Sequence, residues 1–574
     1  MATPESTSTK SWYKKPPPPA GFSKVLGLSP FQSHLLYNRG LRDRSEVDAF
    51  LAADSSLMHD PMLLPDMDRG VARLAAALDS GEAVGVFGDF DTDGITGTAL
   101  LVRALRDLGG TVVSYLPDRV LEGHGLNEQA VRRLGAEGVS LLVTVDCGTD
   151  SVAEVELAAS MGMDAIITDH HTLPDIPPVP CALINPQRSD SEYPYPHLTG
   201  VGMSFKLAQA LYSHLGRPEP EHLLELVALG TVADVGPMTG ENRYLVKRGL
   251  ERLNATQSPG LQALAAEARL KLGAVNAESL AFGLIPRLNA AGRLDHPSVS
   301  LDLLTAQRPE EAQALAARLE LKNSERRSLS DQCVRDAERQ VEAEIDFRGA
   351  PSMIVVSDGE WIPGVLGLIA GNISESYYRP TVAVSIGEEI SRASARSIPE
   401  FDMVGALREC GDLFTRFGGH PRAAGFTAPT ASLAELKRTL QGLADQKLAG
   451  LDLRPRIAID CEASPALFSG GNLEFIQSLE PFGEGNPAPV FLTRNARVTE
   501  ARRVGGDGQH LKLWLRHGGG SWNAIAFRQG ERLDSLEERI DLVYTVGQNT
   551  WRDETKLQLT VLDFASAGRY QRAG

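Results

Sequence analysis

Between residue 83 and about residue 186, short apolar runs alternate with amphipathic stretches. The runs are AVGVF (83–87), VVSYLP (112–117), LLVTV (141–145), AIIT (165–168) and ALIN (182–185). Segments such as TALLVRALRDLG lie between them, apolar on one helical face. Buried strands alternating with helices predict βαβ units and a parallel sheet covered on both sides. Upstream, a leucine-punctuated stretch to about Ser80 reads as a helical packing subdomain. Residues 309–345 have no internal Gly or Pro after Pro309 and carry apolar residues at helical spacing. They predict one long connecting helix, with a hairpin broken near Asn323-Ser324 as the alternative. Strand patterns return at SMIVVSD (352–358) and TVAVSI (381–386), followed by helices and the Gly-rich turn RFGGHPRAAGF. These predict a second α/β domain ending near Gly450. Beyond it, HLKLWLRH, SWNAIAFR, DLVYTVGQNTW and KLQLTVLDF are short strands separated by Gly and Asn turns, as in a small β-barrel or sandwich.

The fold class is therefore α/β multidomain: a parallel-sheet domain, a long connecting helix, a second α/β domain and a C-terminal β-barrel. The expected boundaries are a mobile Ser/Thr/Lys/Pro-rich tail (1–20), the parallel-sheet domain with its helical N-terminal part (21–308), the helix (309–345), the second α/β domain (346–450) and the barrel (451–574). A chain of 574 residues is too long for one core, which agrees with this division. The net charge of −17 excludes a protein that coats nucleic acid with its whole surface, so phosphate contact must be local or carried by metal ions. The barrel departs from that balance, with 13 Lys/Arg against 10 Asp/Glu from Phe491 onward. It also holds Trp514, Trp522, Tyr544 and Trp551, which fit either single-strand stacking or a barrel core. Five dispersed cysteines without a CxxC pair argue against disulfides and thiolate zinc, and for a reducing compartment. The N-terminal residues lack the apolar core of a secretory signal, and no run is long and apolar enough to span a membrane. A cytoplasmic location is expected.

Candidate chemistry concentrates in four acidic motifs. GDFDTDGITG places Asp89, Asp91 and Asp93 after the first apolar run. Asp146 follows the third, and Asp169-His170-His171 follow the fourth. Asp234 lies in ALGTVADVGP. The carboxyl ends of parallel strands border the crevice where open α/β sheets bind ligands, so the motifs should converge there. Singly, each has an ordinary reading: a calcium loop or turn, a turn cap, a helix cap followed by surface histidines. Together they predict a binuclear metal site, because clustered carboxylates must either share protons or recruit cations. Oxygen and imidazole donors suit Mn²⁺ better than Mg²⁺, with Zn²⁺ a third candidate. Two divalent cations would clamp a phosphate and prepare water for in-line attack.

DFDTDG, VDCGT, TDHH and GTVADV resemble the four motifs of the DHH phosphoesterase superfamily. EGHGLN, YPHLTGVGMSFKLA, PRLNAAGR, SARSI, FGGHPRAAG and EPFGEGNPAPVF extend the match to its single-strand-specific exonuclease branch, from about residue 30 to the C-terminus. Its domain order of DHH catalytic domain, long helix, DHH-associated (DHHA1) domain and oligonucleotide-binding (OB) barrel is similar too. The resemblance implies metal ligands at Asp91, Asp93, Asp146, His170 and Asp234, with Asp89 close by and Asp146 bridging both ions. His171 would hold the scissile phosphate or tune a ligand. Arg119, Arg293, Ser394 and Arg396 would be phosphate contacts, some of them forming a pocket for the 5′ end. Asn289 would orient a phosphate or cap a turn. The GGHP turn at His420 would offer backbone N–H groups to phosphate or be a plain tight turn.

The implied activity is processive 5′→3′ exonucleolysis of single-stranded DNA, releasing 5′-mononucleotides in repair and recombination. The family further suggests a monomer that works with single-strand-binding protein and a helicase, without a membrane. Two alternatives are a DHH phosphoesterase of oligoribonucleotides or cyclic dinucleotides, and a non-catalytic replication or repair scaffold. The terminal barrel argues against the first and the intact aspartates against the second. Two positions depart from the branch pattern: Ile362 follows Trp361 where His is usual, and Asn372 stands where Arg is usual. They put part of the DNA grip of the associated domain in question.

Overall fold

The computed structural model describes residues 10–551 and 554–568, without the side chains of residues 348, 549–551 and 554–556. It forms two compact units, Ser55–Leu453 and Met1–Asp54 together with Arg454–Gly574. The first unit opens on helix α1 (Met67–Ser80) and a five-stranded parallel sheet: β1 (Ala83–Gly88), β2 (Thr111–Tyr115), β3 (Val139–Val145), β4 (Asp164–Thr168) and β5 (Ala182–Ile184). The strand order is β2-β1-β3-β4-β5. Helices α2 (Thr92–Asp107), α3 (Glu128–Ala136) and α4 (Val152–Ser160) connect the first four strands, and α5 (Gly200–His214) and α6 (Leu224–Ala233) follow.

Both faces of the sheet are covered, which is why its strands read as unbroken apolar runs. Val84, Val86, Leu141, Val143 and Ile166 pack under residues of α1, α2, α5 and α6. Phe87, Tyr115 and Leu142 pack on the opposite side with Ala130, Val131 and Leu134 of α3 and Ala158 of α4. Because β1 lies between β2 and β3, the chain reverses its direction of travel across the sheet there. The carboxyl ends of β1 and β3 therefore flank a switch-point crevice.

Helix α7 (Ile285–Leu294) packs on α8 (Pro309–Arg348), which is continuous over 40 residues, about 60 Å. Pro309 sits at its first turn and Gly349, at φ 83°, ends it with N–H bonded to the Ile345 carbonyl. The hairpin alternative at Asn323-Ser324 is thereby excluded. The second sheet follows, with order β9-β10-β8-β7-β6. Its strands are β6 (Ile354–Asp358), β7 (Thr381–Ser385), β8 (Ile390–Arg396), β9 (Arg416–His420) and β10 (Ala423–Pro429). Only β6 and β7 are parallel, joined through helix α9 (Leu366–Tyr377).

The second unit is a closed barrel of β11 (Phe491–Val504), β12 (His510–His517), β13 (Gly520–Ala526), β14 (Arg539–Trp551) and β15 (Glu554–Ser566). The long strand β11 closes it by pairing with β14 through its first half and with β12 through its second. Register shifts between Thr493 and Ala496 and between Val498 and Glu500 bend the strand enough to do so.

Two sequence expectations change here. Part of the tail expected to be mobile is ordered: Ser11–Lys14 forms a strand parallel to Arg456–Ile459, and the Trp12 indole N–H donates to Asp563 at 2.8 Å. The helical N-terminal part, expected to belong with the catalytic domain, belongs to the barrel unit. Leu26, Leu35, Leu36, Val47 and Phe50 share one core with Phe468, Phe491, Leu513 and Tyr544. Sequence proximity favoured the wrong partner, because only the fold brings residues 22–54 beside a segment more than 400 residues away. Leu36, fully buried in that core, gives a direct test. Leu36→Ala should destabilise the barrel unit by about 2–5 kcal/mol. Trp12, Trp514, Trp522 and Trp551 make tryptophan fluorescence a reporter mainly of that unit, since Trp361 is the only tryptophan outside it. An unchanged denaturation midpoint would refute the shared core.

Among the described residues no helix is long and apolar enough to cross a membrane. The five cysteines are free thiols.

Candidate metal centre and phosphate pocket

The four acidic motifs meet at the crevice. Asp89 leaves the end of β1, and Asp91 caps α2, accepting from the Asp93 and Gly94 N–H groups at 2.9 and 3.2 Å. Asp93 lies in the first turn of α2 and accepts from Gly200 N–H (2.6 Å) and Val201 N–H (2.9 Å) at the start of α5. A helix N-terminus thus aims two donors and its positive end at this carboxylate. Asp146 follows β3 with φ 60°, a left-handed conformation that Asp tolerates better than most residues. Asp234 ends α6 at the more open side of the cluster.

Donor atoms of Asp89, Asp91 and Asp146 lie within 4.8 Å of one another, as do those of Asp93, His170 and Asp234. His170 joins the two triads: its Nε2 is 3.0 Å from Asp146, 4.0 Å from Asp93 and 3.9 Å from Asp234. All five expected metal ligands, and Asp89, are therefore brought together.

The electrostatics test whether this set fits divalent cations. Burial raises Asp93 and Asp146 well above the usual carboxylate range, and neighbouring carboxylates add to the shift. Burial and the Asp89 charge raise Asp91. Burial and Asp91 push Asp234 up to about 7. His170 falls to about 4 through burial and the charge of His171, which leaves its imidazole neutral and able to ligate. Carboxylates held this close without cations must keep protons, and a divalent ion replaces those protons directly. The donor set fits such ions.

Two residues steady the cluster. Asp169 accepts from the backbone N–H groups of Thr149, His170 and His171, and its Oδ1 is 2.7 Å from His171 Nδ1. Burial alone would push Asp169 up, but the His171 hydrogen bond and charge hold it far below its usual value. Burial disfavours the imidazolium of His171, yet the bond to Asp169 lifts it to about 9. The Asp169 bond thus favours the protonated form of His171 in the metal-free site. His124 was missed in the sequence. It lies between Gly123 and Gly125, both in left-handed conformations, and its Nδ1 is 2.9 Å from Asp89. That hydrogen bond raises its pKa despite burial. The only sequence signal was its place within the EGHGLN motif, after a strand.

Gly200 is needed for the close approach of α5. A Cβ there would stand 2.4 Å from the Asp146 Cβ and 2.7 Å from its carboxylate. Gly200→Ala should therefore displace Asp146 and weaken Mn²⁺ binding by about 10- to 100-fold, measured by calorimetry. Binding as tight as in the unaltered chain would show that the approach is not needed.

The expected phosphate contacts gather beside the metal cluster. Arg119 lies over the Phe90 ring, 3.9 Å from its centroid, and donates to Gly292 O. Arg293, at the end of α7, donates to Gly364 O at 2.9 Å. On β8, Arg396 lies 3.3 Å from the Ser394 hydroxyl and donates to Ala395 O. Burial lowers Arg119, Arg293 and Arg396. Arg293 falls to about 9 because Arg119, Arg326 and Arg396 also repel its charge. Arg326, on α8, was not singled out in the sequence.

Three expectations are modified. Asn289 accepts from the Thr92 N–H at 3.1 Å, so it positions the start of α2. The glycines before His420 belong to β9, where Gly418, Gly419 and His420 pair with Gly425, Ala424 and Ala423 of β10. They form a ladder, not an open nest, though His420 is near enough to act on the His170 charge. Among the barrel aromatics, Tyr544 is fully buried with its hydroxyl 2.8 Å from the Thr493 hydroxyl, which removes it from any stacking surface. Half-buried Trp514 has Arg502 and Lys512 over its ring at 5.1 and 5.3 Å. The Trp522 indole donates to His517 O, and the Trp551 side chain lies outside the described residues. At the two departures, Asn372 donates to Leu368 O within its own helix, and Ile362 is partly exposed.

Comparison with known proteins agrees with this architecture. Residues 83–231 match the DHH family N-terminal domain, residues 350–446 the DHHA1 domain and residues 459–563 the RecJ OB domain. The single-stranded-DNA-specific exonuclease RecJ of Bacillus subtilis is 35% identical over 95% of this chain and 69% of its own length. Crystal structures of Thermus thermophilus RecJ are similar in fold. The Mn²⁺ complex has a TM-score of 0.82 and 32% identity, covering 97% of this chain and 79% of that one. The Mg²⁺ complex has a TM-score of 0.77 and 31% identity, covering 97% and 78%.

Proposed function

Since the chain belongs to the RecJ family of single-stranded-DNA-specific exonucleases, we propose that it degrades single-stranded DNA from the 5′ end, releasing 5′-mononucleotides by hydrolysis at two divalent cations. The observation that carries this reading is the adjacency of two triads of metal-donor atoms to the arginine pocket of Arg119, Arg293 and Arg396.

Asp91, Asp93, Asp146, His170 and Asp234 hold the cations, with Asp89 beside them. Bound there, Mn²⁺ or Mg²⁺ lowers the pKa of water and offsets negative charge on the reacting phosphate. The chain's own groups do the rest. Arg119, Arg293 and Arg396 bind phosphate oxygens, with Ser394 donating beside them. His171, kept cationic by Asp169, offers a proton donor to the scissile phosphate. His124 and Asn289 position Asp89 and the start of α2. The arginines and the metal cluster are fixed on one scaffold, so anchoring an end phosphate places the next linkage at the ligands. In the barrel, Trp514 with Arg502 and Lys512 suits base stacking and backbone contact. Cytoplasmic location, a monomeric state, and single-strand-binding protein and a helicase as partners belong to the same reading, on the strength of the family alone.

A long single strand labelled at its 5′ or its 3′ end, with Mn²⁺, tests this reading. Immediate release of labelled mononucleotide from the 5′-labelled strand only is expected. Release from the 3′ label first would reverse the polarity. Cleavage of dinucleotides alone would replace strand degradation with small-substrate hydrolysis.

A further inference from the structure

The loop between β2 and α3 carries two groups toward the site, Arg119 and His124. They are held differently. Arg119 has anchors of its own, the Phe90 ring and the Gly292 carbonyl. His124 stands between Gly123 and Gly125, at φ 84° and 87°. Glycine on both sides leaves the backbone free to turn, so this short step does not fix the ring by itself. The ring meets Phe90 and His171 edge-on, with centroids 6.0 and 5.9 Å away, and its Nδ1 lies 2.9 Å from Asp89. What keeps it at that distance lies in the rest of the loop.

One carboxylate ties that loop together. Glu122 Oε1 accepts from the Asp118 N–H at 2.9 Å. Its Oε2 accepts from the Tyr115 hydroxyl at 2.8 Å and from Asn127 Nδ2 at 3.0 Å. Tyr115 is the last residue of β2, and Asn127 caps α3 by accepting from the Ala130 N–H. Glu122 therefore binds a residue before the loop, one within it and one at its end. The Glu122 and Gly123 N–H groups donate to the Asp118 carbonyl, and Asp118 Oδ1 accepts from the Val120 and Leu121 N–H groups. A single tight turn thus leads directly into the glycine-flanked histidine. On its outer side, Arg392 of β8 donates to Val120 O at 2.9 Å. Hydrogen bonds to an ionised acceptor are about twice as strong as neutral ones, and three of them converge on Glu122.

We propose that Glu122 is a positioning residue for the metal centre: by closing the loop it sets His124 against Asp89, and so sets the Asp89 carboxylate beside Asp91 and Asp146. The inference rests on the two-metal reading above. Glu122 is not itself among the clustered donor atoms. Its three donors need both carboxylate oxygens. Glutamine offers one acceptor oxygen and turns its amide N–H groups toward Asp118 N–H or Asn127 Nδ2, so at least one tie is lost. Asn127 cannot relieve this by flipping, because its Oδ1 already caps α3.

Calorimetric titration of the full chain with Mn²⁺ tests the role. The unaltered protein should bind two ions. Glu122→Gln should weaken one of them by about tenfold, as groups that orient ligands do, and leave the other within about twofold. A residue that only supports the fold would weaken both alike or neither. His124→Ala should weaken the same ion. Adding Glu122→Gln to it should bring no further loss, because Glu122 acts through His124. Tyr115→Phe removes one donor to Glu122 and keeps the buried ring. It should give a smaller loss at the same ion, and serves where Glu122→Gln does not fold. Losses that add in the double variant would overturn the proposal, as would Mn²⁺ binding in Glu122→Gln that is unchanged or weakened alike at both ions. If the unaltered chain does not bind two ions, the two-metal reading is what fails, and the role of Glu122 falls with it.

Discussion

Asp146→Asn should lower exonuclease activity by about 10³- to 10⁴-fold without lowering the stability of the metal-free protein. Asp146 lies within ligand distance of Asp89 and Asp91 on one side and 3.0 Å from His170 on the other, so it sits where the two triads meet. An amide keeps its shape and still tolerates φ 60°, but cannot offer an anionic oxygen. Without cations the carboxyl is a liability: burial and three or more neighbouring acids raise its pKa well above normal. Removing its charge should leave the melting temperature unchanged or higher. Asp146→Ala should be as inactive but less stable than Asp146→Asn, by about 1–2 kcal/mol, because alanine pays for the left-handed backbone. Initial rates on a labelled strand, with melting curves in EDTA, check both parts. Substantial activity in Asp146→Asn would remove Asp146 from the metal centre.

Chelation should abolish activity, and Mn²⁺ should restore it while raising the melting temperature by an amount that grows from pH 6 to pH 8. The sign follows from the carboxylates. The folded pKa of Asp234 is raised to about 7, and those of Asp93 and Asp146 also lie above their unfolded values. The metal-free folded state thus binds protons that the unfolded chain has released, so its stability from these groups falls as pH rises toward and through 7. Cations need the deprotonated carboxylates and must displace those protons, so they bind more tightly as pH rises. His170 is already neutral across this range and does not oppose the trend. His171 is raised to about 9 in part by the charges of Asp234 and Asp93, so cations on those carboxylates lower it, and the proton it then releases adds to the same trend. Melting temperatures with and without Mn²⁺ at three pH values measure that difference. A metal increment that shrinks toward pH 8 would mean that the buried carboxylates are not the groups that bind.

The chemistry of the centre was legible because it is written in local signals. Each aspartate motif directly follows an apolar run, and a parallel sheet delivers the ends of such runs to one edge. The periodicity also marked α8, through the absence of Gly and Pro, and the barrel, through short strands broken by turns. Side chains that act from loops or helix interiors left weaker traces. His124 is a lone histidine in a glycine-flanked loop. Gly200 looks like an ordinary helix start until the distance to Asp146 is known.

By itself, the sequence marked the parallel sheet, the long helix, the barrel strands and the acidic motifs that follow apolar runs, because hydrophobic period and residue chemistry are properties of short segments; the choice of ligands among those motifs came from the family resemblance. The tertiary structure alone decided which segments share a core, placing residues 22–54 and the Ser11–Lys14 strand with the barrel. It also decided which polar groups are buried without partners and which arginines face one another. These are outcomes of packing between segments distant in the chain, and burial, which shifts the ionisation of each group it reaches, is a property of the assembled fold and of no single segment.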